Sequence, residues 1–118
     1  MNEHIQIEFS ATGVSASEAG DYAQILFAGS NNDGAESLVM QTQCEFPQSY
    51  DFKFETKSGE VADVSRSSAT LSRNRCTVRG HEGDLSIRLD IEFEATDDTF
   101  IELRRIMKMM VRKLDAHS

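Results

Sequence analysis

Leu85-Ser-Ile-Arg-Leu-Asp-Ile-Glu-Phe-Glu-Ala95-Thr-Asp-Asp-Thr-Phe100-Ile-Glu-Leu-Arg-Arg-Ile-Met-Lys-Met-Met110-Val-Arg-Lys-Leu114 is the stretch whose reading decides the fold. Its period changes once. From Leu85 to Ala95, Leu85, Ile87, Leu89, Ile91, Phe93 and Ala95 alternate with Ser86, Arg88, Asp90, Glu92 and Glu94. Unbroken period two predicts a strand with one buried and one wet face. From Phe100 the spacing is helical: Phe100, Leu103, Met107, Met110 and Leu114 form a stripe that Ile106 and Val111 widen. Thr96 or Asp97 can cap the start. Asp97 and Asp98 suit the positive end of the helix dipole, and Arg104, Arg105, Lys108, Arg112 and Lys113 suit the other end. Each apolar face needs a cover. The simplest solution lays a C-terminal helix on the apolar face of a sheet, with the Leu85–Ala95 strand near its centre.

Working outward, His4 to Ser10 alternates and predicts a first strand, with Val14 as its furthest extension. Ser15 to Asp21 is small and polar and reads as a turn. Tyr22 to Ala28 is a second strand, and Gly29 to Glu36 is a loop. Leu38 to Phe46 is a third strand, and Tyr50 to Thr56 answers it across a short join, as in a hairpin. Glu60 to Ser68 has only Val61 and Val64 as large apolar residues and predicts no clear element. Ala69 to Ser72 and Arg75 to Arg79 read as two short strands. Gly80 to Asp84 reads as a tight turn into the main strand. Residues 1–118 form one α+β domain: a curved, largely antiparallel sheet of six or seven strands with one long C-terminal helix on its apolar face. One helix cannot cover so wide a flat sheet, so the sheet should curl around it.

The 118 residues are 39% hydrophobic, enough for one modest core. No apolar run is long enough to span a membrane. Met1 to Ser10 carries Glu3 and Glu8 without a basic residue, so it does not read as a signal peptide, and the cytoplasm is the expected compartment. Cys44 and Cys76 therefore read as free buried thiols.

The net charge of −8 is unevenly placed. Residues 1–52 hold eight acids and no Lys or Arg, while the rest balances 12 bases against 12 acids. That field argues against nucleic acid binding through the first half and permits steering toward a basic partner. An acidic, well-solvated surface is the plainer alternative.

No local sequence suggests a nucleophile with its base, a metal set or a phosphate cradle. His81-Glu82 with Asp84 matches no standard metal spacing and reads as a polar turn. Arg66, Arg73, Arg75 and Arg79 form a basic stretch that could bind an acidic partner or nucleic acid, but it lacks interleaved aromatics, and pairing across strands with Glu92 or Glu94 is its expected role. The wet sheet face should carry Gln6, Glu8, Gln41, Gln43, Glu45, Asp51, Glu55, Asp90, Glu92 and Glu94. Among these, Glu8, Gln41, Gln43, Glu45, Asp90, Glu92 and Glu94 are the candidate partner-binding residues, able to meet Lys and Arg. Met109 faces away from the helix stripe, either as a scattered exposed residue or as a helix-to-helix homodimer contact.

The order of certain short motifs carries a resemblance. Glu36-Ser-Leu-Val-Met-Gln41 is followed by Glu45-Phe46, then Leu71-Ser-Arg-Asn-Arg75, Ile91-Glu-Phe93, and Asp97-Asp98-Thr-Phe100 leading to Leu103-Arg104-Arg105-Ile106. The earlier Phe9-x-Ala11-Thr12 and Glu18 also fit. In this the chain resembles the immunity protein family numbered ten among bacterial polymorphic-toxin systems. The middle differs: Val61 to Ser68 stand where the family is Gly- and Tyr-rich. The resemblance implies a non-enzymatic, cofactor-free cytoplasmic protein that neutralises a cognate toxin by occlusion. The alternative from residues alone is a small acidic secretion chaperone or adaptor, dimeric through the helix.

Overall fold

The computed structural model describes residues 4–29, 37–43 and 50–117. Its elements in chain order are β1 (His4–Ser10), β2 (Gly13–Ala19), β3 (Tyr22–Ala28), β4 (Ser37–Gln43), β5 (Phe52–Thr56), β6 (Val61–Leu71), β7 (Arg75–Glu82), β8 (Leu85–Glu92), α1 (Asp97–Met110) and β9 (Lys113–Ala116). The fold is α+β, and the described residues form nine strands in the order β1-β8-β7-β6-β5-β4-β3-β2, with β9 beside β6. All neighbours are antiparallel except β1 with β8 and β9 with β6.

Alternation decides which side of each strand is buried. Ala23, Ile25 and Phe27 of β3, Leu38, Met40 and Thr42 of β4, and Phe52, Phe54 and Thr56 of β5 all lie inside. Ile87, Leu89, Ile91 and Phe93 do the same along the β8 line. The reversal from β7 to β8 uses Gly83-Asp84, with Gly83 at φ 60°, a conformation that glycine adopts without steric cost.

Two bends turn the sheet back on itself. The first lies between β1 and β2. Ala11 N–H still donates to Glu92 O (2.7 Å), but Thr12 N–H donates to Ala28 O (2.8 Å). One N-terminal strand thus begins beside β8 and ends beside β3. The second bend is in β6. Val61 to Val64 pair with β5, and Ser65 to Leu71 pair with β7, with a register shift between Ser65 and Ser68. Arg66 there has φ 53°. Ser67 is buried and donates through its amide (2.9 Å) and hydroxyl (2.7 Å) to Asp51 Oδ2. Arg112 Nε donates to Asp51 Oδ1 (3.1 Å). Gly80 of β7 runs so close beneath this bend that a Cβ would collide with the Val64 side chain. The two sheet halves, β2 to β5 and β6 to β1, therefore share one core, and the Phe27 and Phe93 rings meet across it at 5.6 Å.

The helix begins as its sequence dictates. Thr96 caps it, its side chain accepting from Thr99 N–H (3.2 Å), with Asp97 and Asp98 in the first turn. Phe100, Leu103, Ile106, Met107 and Met110 are buried. Its backbone lies against β2, β3, β4 and β9.

Four expectations need correction. Among the described residues the sheet has nine strands, not six or seven, because Gly13–Ala19 and Lys113–Ala116 are strands; the unclear 60–68 stretch joins 69–71 in β6. Small residues hide β2: Ser15, Ala16 and Ser17 carry no apolar signal, and pairing with β3 supplies the order. β8 is next to the edge strand β1, not central. Among the strands, the α1 backbone runs nearest to β2, β3, β4 and β9, and the Phe93 ring just beyond β8 meets Phe27 of β3. Finally, Leu114 is not helical. Arg112 N–H donates to Ser67 O (3.2 Å), which draws the chain off the helix and sets Leu114 beside Ala69.

Candidate partner-binding face

On the β6-to-β1 half, the residues opposite the core alternate outward and stand in register across strands. Glu8 lies beside Asp90, and Ser10 beside Glu92, which in turn lies beside Arg75. These positions meet at the end of the sheet where three distant segments converge. Ser10, Ala11 and Thr12 come from the first bend, Asn74 and Arg75 from the β6–β7 turn, and Glu92, Phe93 and Glu94 from the end of β8. They line an open depression of about 780 Å³.

The walls are fixed by the backbone. Phe93 N–H donates to Asn74 O (3.1 Å), Ala95 N–H to Arg73 O (3.0 Å) and Ser72 N–H to Arg75 O (2.8 Å). Arg73 pairs with Asp97, and its guanidinium stands 5.9 Å from the centre of the Phe100 ring. The turn is thereby tied to the start of α1. Glu92 and Glu94 are exposed and have no ion pair among the described residues, so the site presents two carboxylates beside a guanidinium and the Asn74 amide. Such a surface can accept hydrogen bonds from Lys and Arg of a partner.

The predicted residues separate into groups. Glu8, Asp90, Glu92 and Glu94 lie along the β1–β8 side, as expected from their alternation. Asp90 is not available to a partner: it is 7% exposed and accepts from Arg88 Nε (2.8 Å) and Thr77 Oγ1 (2.8 Å), with Arg75 at 3.7 Å. The Arg88 hydrogen bond, which outweighs the cost of burial, holds its carboxyl below the usual Asp value. Gln41 and Gln43 belong to the other half of the sheet. Gln41 stands between Gln24 and Lys53, and Gln43 beside Tyr22. Glu45 lies outside the described residues, as does Cys44.

The expectation of a wet face with few bases also changes. Asp51 is drawn into the β6 bend. Burial raises its pKa, but the Ser67 and Arg112 hydrogen bonds prevail and leave it lowered. Glu18 meets Arg105 at 3.3 Å. The acid-rich first half is thus partly neutralised by bases of α1 and the segment after it. Meanwhile Arg75, Arg79, Arg88 and Lys113 all share the outer face with Glu8 and Glu92.

Of the basic stretch, Arg75 stands opposite Glu92 as expected, although its ion pair is with Asp90. Arg66 donates to Gly83 O (2.9 Å). Arg79 stands opposite Arg88, not an acid. Cys76 is a free, buried thiol whose pKa burial pushes up to about 12, with Asp90 adding to the shift. His81 and Glu82 fall within β7, and Glu82 accepts from Asp63 N–H (2.8 Å). Among the described residues no three His, Cys, Asp or Glu side chains are grouped to hold a metal ion, and no helix is long and apolar enough to cross a membrane. Met109 is exposed on α1, as is Ile101.

Reading each residue alone singles out no site at Ser10 to Thr12 or at Asn74. Their signal lies in the motifs: Ala11-Thr12, Asn74-Arg75 and Glu92-Phe93 all belong to segments that carry the resemblance. No family model matches the chain, and neither does any curated protein or solved structure.

Proposed function

We propose that this protein is an immunity protein of the polymorphic-toxin type, acting in the cytoplasm by stoichiometric binding that occludes a cognate toxin, without catalysis or cofactor. One observation carries the reading. Parts of three of the motifs that carry the family resemblance, Ala11-Thr12, Asn74-Arg75 and Glu92-Phe93, come together around one open depression. Glu92 and Glu94, expected as partner contacts from alternation, lie on the same rim. Their carboxylates suit a basic toxin surface, and the fixed turn beside them supplies a rigid platform, which lowers the ordering cost of association.

The test is coexpression with the product of the neighbouring reading frame. A one-to-one complex that restores growth supports the reading. A toxic product that forms no complex and is not counteracted refutes it.

A second reading, a secretion chaperone or adaptor dimeric through the helix, draws on a different observation. Ile101 is 52% exposed and Met109 40% exposed on α1. A groove of about 500 Å³ between α1 and β9 is lined by Ile101, Arg104, Arg105, Lys108, Leu114 and Ala116, while Met109 lies outside it. A concentration-dependent dimer that Met109→Lys abolishes favours this reading.

A further inference from the structure

Away from the depression at the strand ends, the same half of the sheet carries the opposite charge. The pairing registers place Lys113, Ser68, Arg79, Arg88 and Gln6 in one row across β9, β6, β7, β8 and β1. Two shallow depressions adjoin along it, of about 400 and 370 Å³, and share Ser68, Arg79 and Arg88. Between them they add Lys113 and Arg66, and Asp115 is the one carboxylate among their lining residues. Asp115 itself lies 3.4 Å from His117 Nε2. In a chain of net charge −8, this local excess of cations runs against the whole.

The arrangement is not one that folding favours. Arg79 and Arg88 are directly opposed, and like charges at cross-strand positions are destabilising. Arg88 is relieved by Asp90, at 2.8 Å. Arg79 and Lys113 have no ion pair within 4.0 Å among the described residues. His81, which also lines the trough, has a buried Nδ1 without a hydrogen-bond partner among the described residues. The exposed Arg79 and Lys113 side chains gain from an external anion what the fold does not give them.

We infer that the outer face of β6 to β9 is a second binding site, a basic trough that takes an acidic polypeptide segment, its carboxylates seated on Arg79, Arg88 and Lys113. Dimensions support a peptide. Neighbouring strands are about 4.8 Å apart, so Lys113 to Arg88, three strand steps, spans about 14 Å. Carboxylates on alternate residues of an extended chain repeat every ~7 Å, so three of them cover the same span. Guanidinium groups donate paired hydrogen bonds to carboxylates, and Ser68 and Thr70 add hydroxyls around them. Nucleic acid fits less well. No Phe, Tyr or Trp lines either depression to stack on bases, and the net charge repels a long polyanion. This site does not depend on the partner's being a toxin, and its test needs none.

The test measures fluorescence anisotropy of three labelled probes at low and physiological ionic strength. They are an end-blocked peptide of alternating Glu and Ser, its Lys–Ser counterpart and a short oligothymidylate. The full chain should bind the Glu–Ser peptide in preference to both others. Arg79→Gln combined with Lys113→Gln should weaken that binding by about tenfold or more while the melting temperature holds or rises, since a like-charge pair is removed. Lys113→Gln alone, at an exposed position, should give a smaller loss in the same direction. No binding of the Glu–Ser peptide, equal binding by wild type and the double variant, or tighter binding of oligothymidylate would each overturn the inference.

Discussion

Asp51 shows how much a single side chain can settle here. Its carboxylate takes the amide and hydroxyl of Ser67 and the guanidinium of Arg112. It therefore joins the start of β5, the bend of β6 and the segment that leads from α1 to β9. Replacing it by Ala leaves the buried Ser67 groups without that acceptor, and Asp51→Ala should cost about 1–3 kcal/mol in urea unfolding. Asp51 and Asp90 both have lowered pKa values in the folded protein. A carboxyl lowered on folding contributes stability that is complete above its unfolded value and lost as pH falls through its folded value. The free energy of unfolding should accordingly be lower at pH ~3 than at pH ~7, and Asp51→Asn should reduce the difference. A curve no flatter in the variant would show that these bonds do not set the acid limit. Cys76 makes the contrary case. With its pKa at about 12, the thiolate is scarce at neutral pH. Peptide mapping after alkylation should find Cys76 unmodified in the native protein and modified in urea.

At the scale of elements, α1 and β6 answer to different forces. The α1 stripe is a matter of burial, with Leu103 and Met107 both fully inside. Leu103→Ala or Met107→Ala should cost roughly 2–5 kcal/mol, read as a lowered melting temperature. An unchanged melting temperature in both would remove the helix from the core. β6 depends on close approach: Gly80→Ala would push a methyl group into Val64 at the bend. That variant should be destabilised although Ala is the smallest side chain available. These contrasts explain what was legible in the sequence. Alternation of large apolar residues made β1, β3, β4, β5 and β8 legible as strands with a buried side, though not the position of β8 in the sheet, and helical spacing gave α1. β2 was hidden because Ser and Ala carry no periodic signal, and β6 because its bend interrupts the alternation at Arg66 and Ser67. The end of α1 was misread because Val111 and Leu114 continue the helical spacing, while the decisive partner, Ser67, is 45 residues from Arg112. Of the candidate site, Glu92 and Glu94 were legible from alternation. Asp90 was not separable from them, because its pairing with Arg88, Thr77 and Arg75 arises only once β7 and β8 are in register.

Over the whole molecule, charge is sorted by surface more than by sequence. The acids of residues 1–52 are partly answered by Arg105 and Arg112. The sheet half from β6 to β1 then presents a carboxylate-rimmed depression at its strand ends and a basic trough across its middle. A protein built this way can hold a partner through two regions of opposite sign, which fixes orientation as well as attraction. The most direct test of the account is the association rate with the neighbouring gene product, measured for the wild type and for Glu92→Lys combined with Glu94→Lys at two ionic strengths. Both residues are exposed, so the melting temperature should stay close to that of the wild type. Association should slow by about tenfold at low salt, with the difference narrowing as salt rises. An association rate equal to the wild type's at both ionic strengths would contradict the assignment of this depression as the partner-binding surface.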